Sequence, residues 1–401
     1  MHSMTEAVGQ ITIPKSPVDE THIRLGATMT VRDGWSVPES YGDVLFEYAA
    51  MREGGAGIID LSSRGRIMVS GSEAVQFLNG LITNDMKTLA ENDWMPAAFP
   101  NVQGRLIASA RVLRLHDEGT DQTTPAELPS RGSRVNFCPA FVIDTEAATH
   151  ERVLKTIERF TLAGDFRVSD ITSQTALLSV QGRNAVNVVR SVLGQETAGI
   201  AANQAIQISW QRYELKGDVT VIRATHTAED GFDLIVNSDH AGSLWKTLQD
   251  AGARPVGYEA LEILRIEAGL PRYGVDMDET NVVTETALDD AVSYTKGCYV
   301  GQEIIARIKY RGHVAKKLAG LIFDQAVKVE ANTTIKSTDD KDIGRLTSKT
   351  YSPHLGRTVA LGYLKYDYLA PGTSVKVIAG DGEIPAQVVE LPFVKGSWRN
   401  E

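Results

Sequence analysis

The chain has 401 residues, 42% of them apolar and 23% charged, which excludes wholesale disorder and, at about 150 residues per domain, points to two or three domains. A formal charge of −10, from 41 basic against 51 acidic side chains, argues against a nucleic-acid coat protein, so direct nucleic-acid binding is not expected. Two cysteines, Cys138 and Cys298, are too few for a disulfide framework and too far apart for a metal knuckle, so a reducing compartment, most simply the cytoplasm, is expected and no metal site is assigned. The N-terminal twenty residues lack the apolar core of a secretory signal, and no window approaches the run of about 18 apolar residues that a membrane helix needs.

Residues 1–20 read as a loose polar arm. The Gly, Pro and Trp of GWSVPESY are expected to break up regular structure between His22 and about Arg66. AGIIDL (56–61) reads as a buried strand and RIMVSG (66–71) as another, with Ser70 a candidate cap for a helix burying Ala74, Phe77, Leu78 and Leu81. GRLIASARVLRL and VNFCPAFVI read as a hairpin whose connection, HDEGTDQTTPAELPSRGS, is a long surface loop. Helical spacing covers 146–161, 243–252 and 256–269, while TALLSVQG and VTVIRATH read as strands. After Lys316 short apolar runs alternate with turn clusters, the pattern of a small separate all-β domain.

P-loop, dinucleotide-fold, HExxH, GxSxG and CxxC motifs are absent. The acidic run Asp276 to Asn281 lacks the glycine and glutamate of a calcium loop and reads as a solvated turn. The most informative stretch is KGCYVGQE, 296–303. Cys298 lies close to Lys296, between Gly297 and Gly301, where the backbone can bend toward a ligand and a cation favours thiolate; a small buried apolar cysteine is the bland alternative. Residues 305–311 alternate, placing Arg307, Lys309 and Arg311 on one strand face that is either a solvated edge or an anion site. In the helix YEALEILRIEAG, Arg265 shares a side with Tyr258, Leu261 and Ala268, either paired with Glu262 or reaching a buried anion. TAEDGF places Glu229 and Asp230 at a strand junction, where solvated carboxylates are the usual finding.

KGCYVGQE resembles the signature of YgfZ-type folate-binding proteins, relatives of mitochondrial iron–sulfur assembly factors within the glycine-cleavage T-protein (aminomethyltransferase) superfamily. The superfamily resemblance runs from about His22 to Val394, through FLNGLITND, LLSVQG, TAEDGFDLIV, LEILRIEAGLPRYGVD and SPHLGRTVALGYL. It implies an α+β, three-domain, ring-like fold with two interleaved α/β domains and a C-terminal β-barrel. The implied divisions are 21–66 with 164–257 as a folate-binding domain, 67–163 with 258–312 carrying KGCYVGQE, and 316–401 as the barrel. It further implies tetrahydrofolate or another reduced folate as ligand. Glu229 would accept from the pterin N–H pair, with Arg265, Tyr299 and Gln302 as further folate contacts and Cys298 and Lys296 as the reactive pair.

T-proteins resemble one another in a segment of the form NEEGGIIDD, where Ala108 and Ser109 here replace the two aspartates. Neither can place a charge beside the reacting nitrogen. From this the expected function is an accessory role in iron–sulfur cluster assembly or repair, touching tRNA-thiomodifying enzymes, with iron–sulfur proteins as partners. Aminomethyl or other one-carbon transfer on folate is the alternative.

Overall fold

The computed structural model describes residues 12–115, 139–159, 161–162, 164–212, 215–380 and 382–398. Cys138 and the connection 116–133 lie outside the described residues. Two sheets are built from interleaved stretches of chain. One has the order 205–212, 215–223, 231–237, 175–181, 57–60, 254–255; the other runs 94–100, 106–114, 140–145, 65–70, 167–170. All strands of the second sheet fall, in sequence, between the strands Gly57–Asp60 and Thr175–Gln181, which are antiparallel neighbours in the first.

The buried strands explain the continuous apolar runs. Ile58 and Leu178 point to a cluster under the helices Ala185–Leu193 and Ser238–Asp250. Ile59 and Leu177 point the other way, onto Leu113 and Val142 of the second sheet and Leu264 of the helix Tyr258–Glu267. A strand covered on both faces reads as unbroken hydrophobicity rather than alternation. The second sheet's outer face is covered by the helices Ala74–Leu81 and Ala147–Glu158. The six strands from Lys316 to Val389 close into a barrel, which leaves no free edge. The expected fold class therefore holds. So does the antiparallel pairing of Leu106–Arg114 with Ala140–Thr145.

Several local expectations change. Residues 12–20 are not a loose arm: Val18 is buried, Lys15 bridges to Ser36, and a short helix begins at Asp19. Trp35–Ser40 is a strand paired with Thr28–Arg32, because Asp33 and Gly34 both adopt positive φ and form the two-residue turn that suits strand twist. The helix Ala74–Leu81 starts after Glu73 without a side-chain cap, so Ser70 has no such role. Gln302–Arg311 is a helix, not a strand. Gly301 at φ 77° turns the chain into it, and Arg307 and Arg311 share a face as i,i+4 partners while Lys309 reaches the Tyr294 ring.

Candidate functional site

A cleft of about 150 Å³ opens where several strands end beside the helix Tyr258–Glu267. The helix contributes Tyr258, Leu261, Glu262 and Arg265, at i, i+3, i+4 and i+7, so one face lines the cleft. It stops at Gly269 (φ +72°), with Leu270 N donating to Arg265 O and Gly269 N to Ile266 O, and this termination aims Leu270 and Arg272 at the same space. Leu61, Ser63 and Arg64 follow the strand Gly57–Asp60, Glu146 follows Ala140–Thr145, and His226 follows Leu215–Arg223. Burial pushes the Glu146 carboxyl above its ordinary range, against the pull of Arg64 and of the Tyr273 N–H. Burial likewise lifts the Tyr258 phenol to about 12.

Two cleft residues are the ends of one chain of charges that crosses between the sheets. Arg64 Nε donates to Asp144 at 2.8 Å. Arg111 Nη2 lies 2.8 Å from the other Asp144 oxygen and 2.6 Å from Asp233 Oδ2. His226 Nε2 stands 2.9 Å from that same Asp233 oxygen. Arg111 and Asp144 face each other in the second sheet, whereas Asp233 belongs to the first. Arg111 therefore bolts the sheets together by charge at the end of their shared apolar interface. Burial alone would raise both aspartates; Arg64 and Arg111 hold Asp144 below the usual carboxylate range, and His226 and Arg111 hold Asp233 far below it.

Arg265 is the one residue expected at the site from sequence that lines the cleft. Its guanidinium is held by Asp276 (2.5 Å), Glu262 and Ser348 (2.7 Å), so the bland and the anion-seeking expectations are both met within the protein. Asp276, expected in a solvated turn, is instead buried and receives a further bond from Thr347 of the barrel. Glu229 is also buried rather than solvated. Arg52 Nη1 donates to it at 2.7 Å and Ser397 N at 2.8 Å, and Arg52 also holds Glu267, to which Tyr48 donates. It does not line the cleft.

KGCYVGQE stands apart from the cleft. Lys296, pushed down to about 8 by burial, spends its three hydrogens on the carbonyls of Asn79, Ile82 and Asn84, at and beyond the C-terminus of Ala74–Leu81. Tyr299 is buried with Ala98, Leu106 and Ile305. A Cβ on Gly301 would meet the Asn101 carbonyl at 2.4 Å. Gln302 opens the following helix and lines a surface groove with Arg307 and Tyr310. Cys298 is exposed with a free thiol. The element is a clamp on one helix and one β-turn, and this packing accounts for Lys296, Tyr299 and Gly301 but not for the exposed cysteine.

Sequence reasoning missed Arg64, Arg111, Asp144, Glu146, His226 and Asp233. The signal for three of them is plain: Arg111, Asp144 and Asp233 are charges in the middle of strands that are otherwise apolar, where an unpaired charge would not be tolerated. Among the described residues no group of His, Cys, Asp and Glu is arranged to hold a metal. No helix among them is long and apolar enough to cross a membrane.

Two sheets built from interleaved stretches of chain are followed by a closed six-stranded barrel, with a charged cleft beside the helix Tyr258–Glu267. The chain belongs to the glycine cleavage T-protein family: residues 18–126 and 139–296 match the model of the GCVT N-terminal domain, and 316–395 that of the T-protein C-terminal barrel domain. The aminomethyltransferase of Cutibacterium acnes is 31% identical across 96% of this chain and all of that protein. That of Thermotoga neapolitana is 29% identical across 96% and 99%. The crystal structure of glycine cleavage system aminomethyltransferase T from Bartonella henselae, 23% identical, superimposes with a TM-score of 0.83 over 96% of this chain and 99% of that one, which shows the fold. These end-to-end relatives overturn the expectation of an iron–sulfur assembly role, with its tRNA-modifying clients and iron–sulfur partners. They favour the one-carbon transferase alternative.

Proposed function

We propose that the protein transfers a one-carbon unit from a small donor to reduced folate, with the cleft as the place where the two meet. The observation that carries the proposal is alignment, over nearly the whole of both chains, with proteins named aminomethyltransferase. The cleft's lining fits the ligand. Leu61, Leu261, Leu270 and the Tyr258 ring give a flat pterin apolar walls, and Glu146 offers a carboxylate that can accept from two adjacent N–H donors. Arg265 lies in the wall, where it can serve as the folate contact expected of it, while Glu229 is buried outside the lining and bonded to Arg52 and Ser397. The divisions 21–66 with 164–257, and 67–163 with 258–312, form part of this proposal, as does a cytoplasmic location, which the free Cys298 supports.

A donor other than the aminomethyl carrier is favoured by one observation. Ala108 is wholly buried and Ser109 opposes Ala98 across the strand pair, so this strand puts no carboxylate at the position where T-proteins carry one. The test is calorimetric titration of tetrahydrofolate followed by turnover assays with the aminomethyl-lipoyl carrier and with N-, O- and S-methyl compounds. Absence of tetrahydrofolate binding would sink the proposal. Rapid turnover of the aminomethyl carrier would confirm the transferase and remove the case for a different donor.

A further inference from the structure

We infer that His226, oriented by Asp233, is the proton-transfer residue of the cleft. The inference rests on the one-carbon transferase proposal and adds the group that moves the proton. Moving a carbon unit from a donor heteroatom to an amine of reduced folate forms a C–N bond and breaks a C–heteroatom bond. The accepting amine loses its N–H proton and the leaving heteroatom gains one. The carbon changes partner without gaining or losing electrons overall, so no oxidant or reductant is called for. One base that takes the first proton and returns it as the second completes the balance.

T-protein-like carboxylates at 108 and 109 are missing, so this chain must place a titratable group elsewhere. His226 is the cleft's imidazole. Its side chain is 22% exposed, while Asp233 beneath it is fully buried. Its Nε2 is committed to both Asp233 oxygens, at 2.9 and 3.2 Å, and its backbone N–H is tied to Gln181 Oε1 at 3.0 Å. Among the described residues Nδ1 has no hydrogen-bond partner. The Nε2–H···Asp233 bond fixes the neutral tautomer in which Nδ1 is a lone-pair acceptor. A carboxylate behind an imidazole both orients the ring and stabilises it once protonated. Asp233 is itself anchored by Arg111 at 2.6 Å and by Ser179, so the pair cannot swing.

The charged groups that bear on this imidazole are Asp233 from the first sheet, Arg111 and Asp144 from the second, and Arg64 and Glu146 across the cleft. His150 forms a similar pair with Asp170 at 2.9 Å but does not line the cleft, so it serves as an internal control.

The experiment is an imidazole-labelled NMR titration of the full chain, with and without saturating tetrahydrofolate, alongside calorimetry. His226→Gln assigns the resonance, and His226→Asn serves if the first variant folds poorly. Occupancy of the cleft should move the His226 titration by about half a pH unit or more, through desolvation and a new contact at Nδ1, and leave His150 unmoved. Asp233→Asn should release the tautomer, read from the two imidazole nitrogen chemical shifts. Tetrahydrofolate binding with an unmoved His226 would overturn the dyad and leave the transferase proposal standing. No binding at all would overturn both.

Discussion

Removing Arg111 tests the charge chain most directly. In Arg111→Met the side chain keeps much of its apolar stem, and what is lost is one guanidinium nitrogen 2.8 Å from Asp144 and 2.6 Å from Asp233. Both carboxylates are essentially buried, at 4% and 0% exposure. Breaking a buried pair by deleting one partner costs about 3–5 kcal/mol, because the other charge stays desolvated. Arg64 remains for Asp144 and His226 for Asp233, which puts the expected loss near the lower end, about 3 kcal/mol at pH 7. The sign with pH follows from the depressed carboxylates. In the wild type their contribution is full above the unfolded Asp value of about 3.9 and is lost as pH falls toward the folded values. In the variant the folded values are less depressed, so the two proteins lose stability in step as pH falls from about 3.9, and the gap between them narrows only once the variant's carboxylates protonate in the native state. Denaturant unfolding at pH 7 and down the acid limb below about pH 3 measures it. A loss under about 1 kcal/mol at pH 7, or one that stays constant through that acid limb, would refute the chain of charges as a bolt between the sheets.

Gly301→Ala should destabilise by more than about 2 kcal/mol, since φ is +77° and the new Cβ meets a carbonyl at 2.4 Å, whereas Gly297→Ala has nothing within 4 Å and should be neutral by thermal unfolding. Lys296→Met strands three carbonyls and should cost about 2–3 kcal/mol in a denaturant series. Ser397→Ala removes a donor from buried Glu229 and should cost about 1–2 kcal/mol, read as a lower melting temperature. Cys298→Ser, at an exposed site, should unfold like the wild type and bind tetrahydrofolate equally well, while the wild-type thiol reacts with an aromatic disulfide reagent without denaturant.

Period and turn chemistry made the barrel and many of the strands and helices legible, while the interleaving of the two sheets was carried by the family resemblance alone. AGIIDL and TALLSVQG are buried on both faces, and a long apolar run is what such strands require. The failures were local competitions. Asp33-Gly34 is a hairpin turn whose signal is stronger than the presence of Trp35 and Pro38 nearby; Pro38 is tolerated because the pair has only two strands. IIARIKYR alternates in charge, yet it follows a glycine in the left-handed region that starts a helix, and Ile305 alone is buried. A basic alternation seven residues long is compatible with either period, and only the anchoring of Gly301 against Asn101 decides between them.

The site was less legible because its residues are far apart in sequence and meet through the interleaving of the sheets. His226 and Asp233 are seven residues apart, across a turn, and could have been paired from sequence alone. Arg111 and Asp144 needed the hairpin register, and Arg64 needed the end of the neighbouring strand. No local pattern marks that Arg111 will face the other sheet. The burial argument does mark it. Three ionisable residues, each inside an apolar strand, must either pair or stay neutral. Two buried acids and one buried base leave one negative charge, which the guanidinium of Arg64 at the rim matches, while the imidazole of His226 completes the hydrogen bonding of Asp233, and both rim residues line the cleft. The charge and hydrogen-bond balance of the core thus accounts for the functional groups that stand at the mouth of the site.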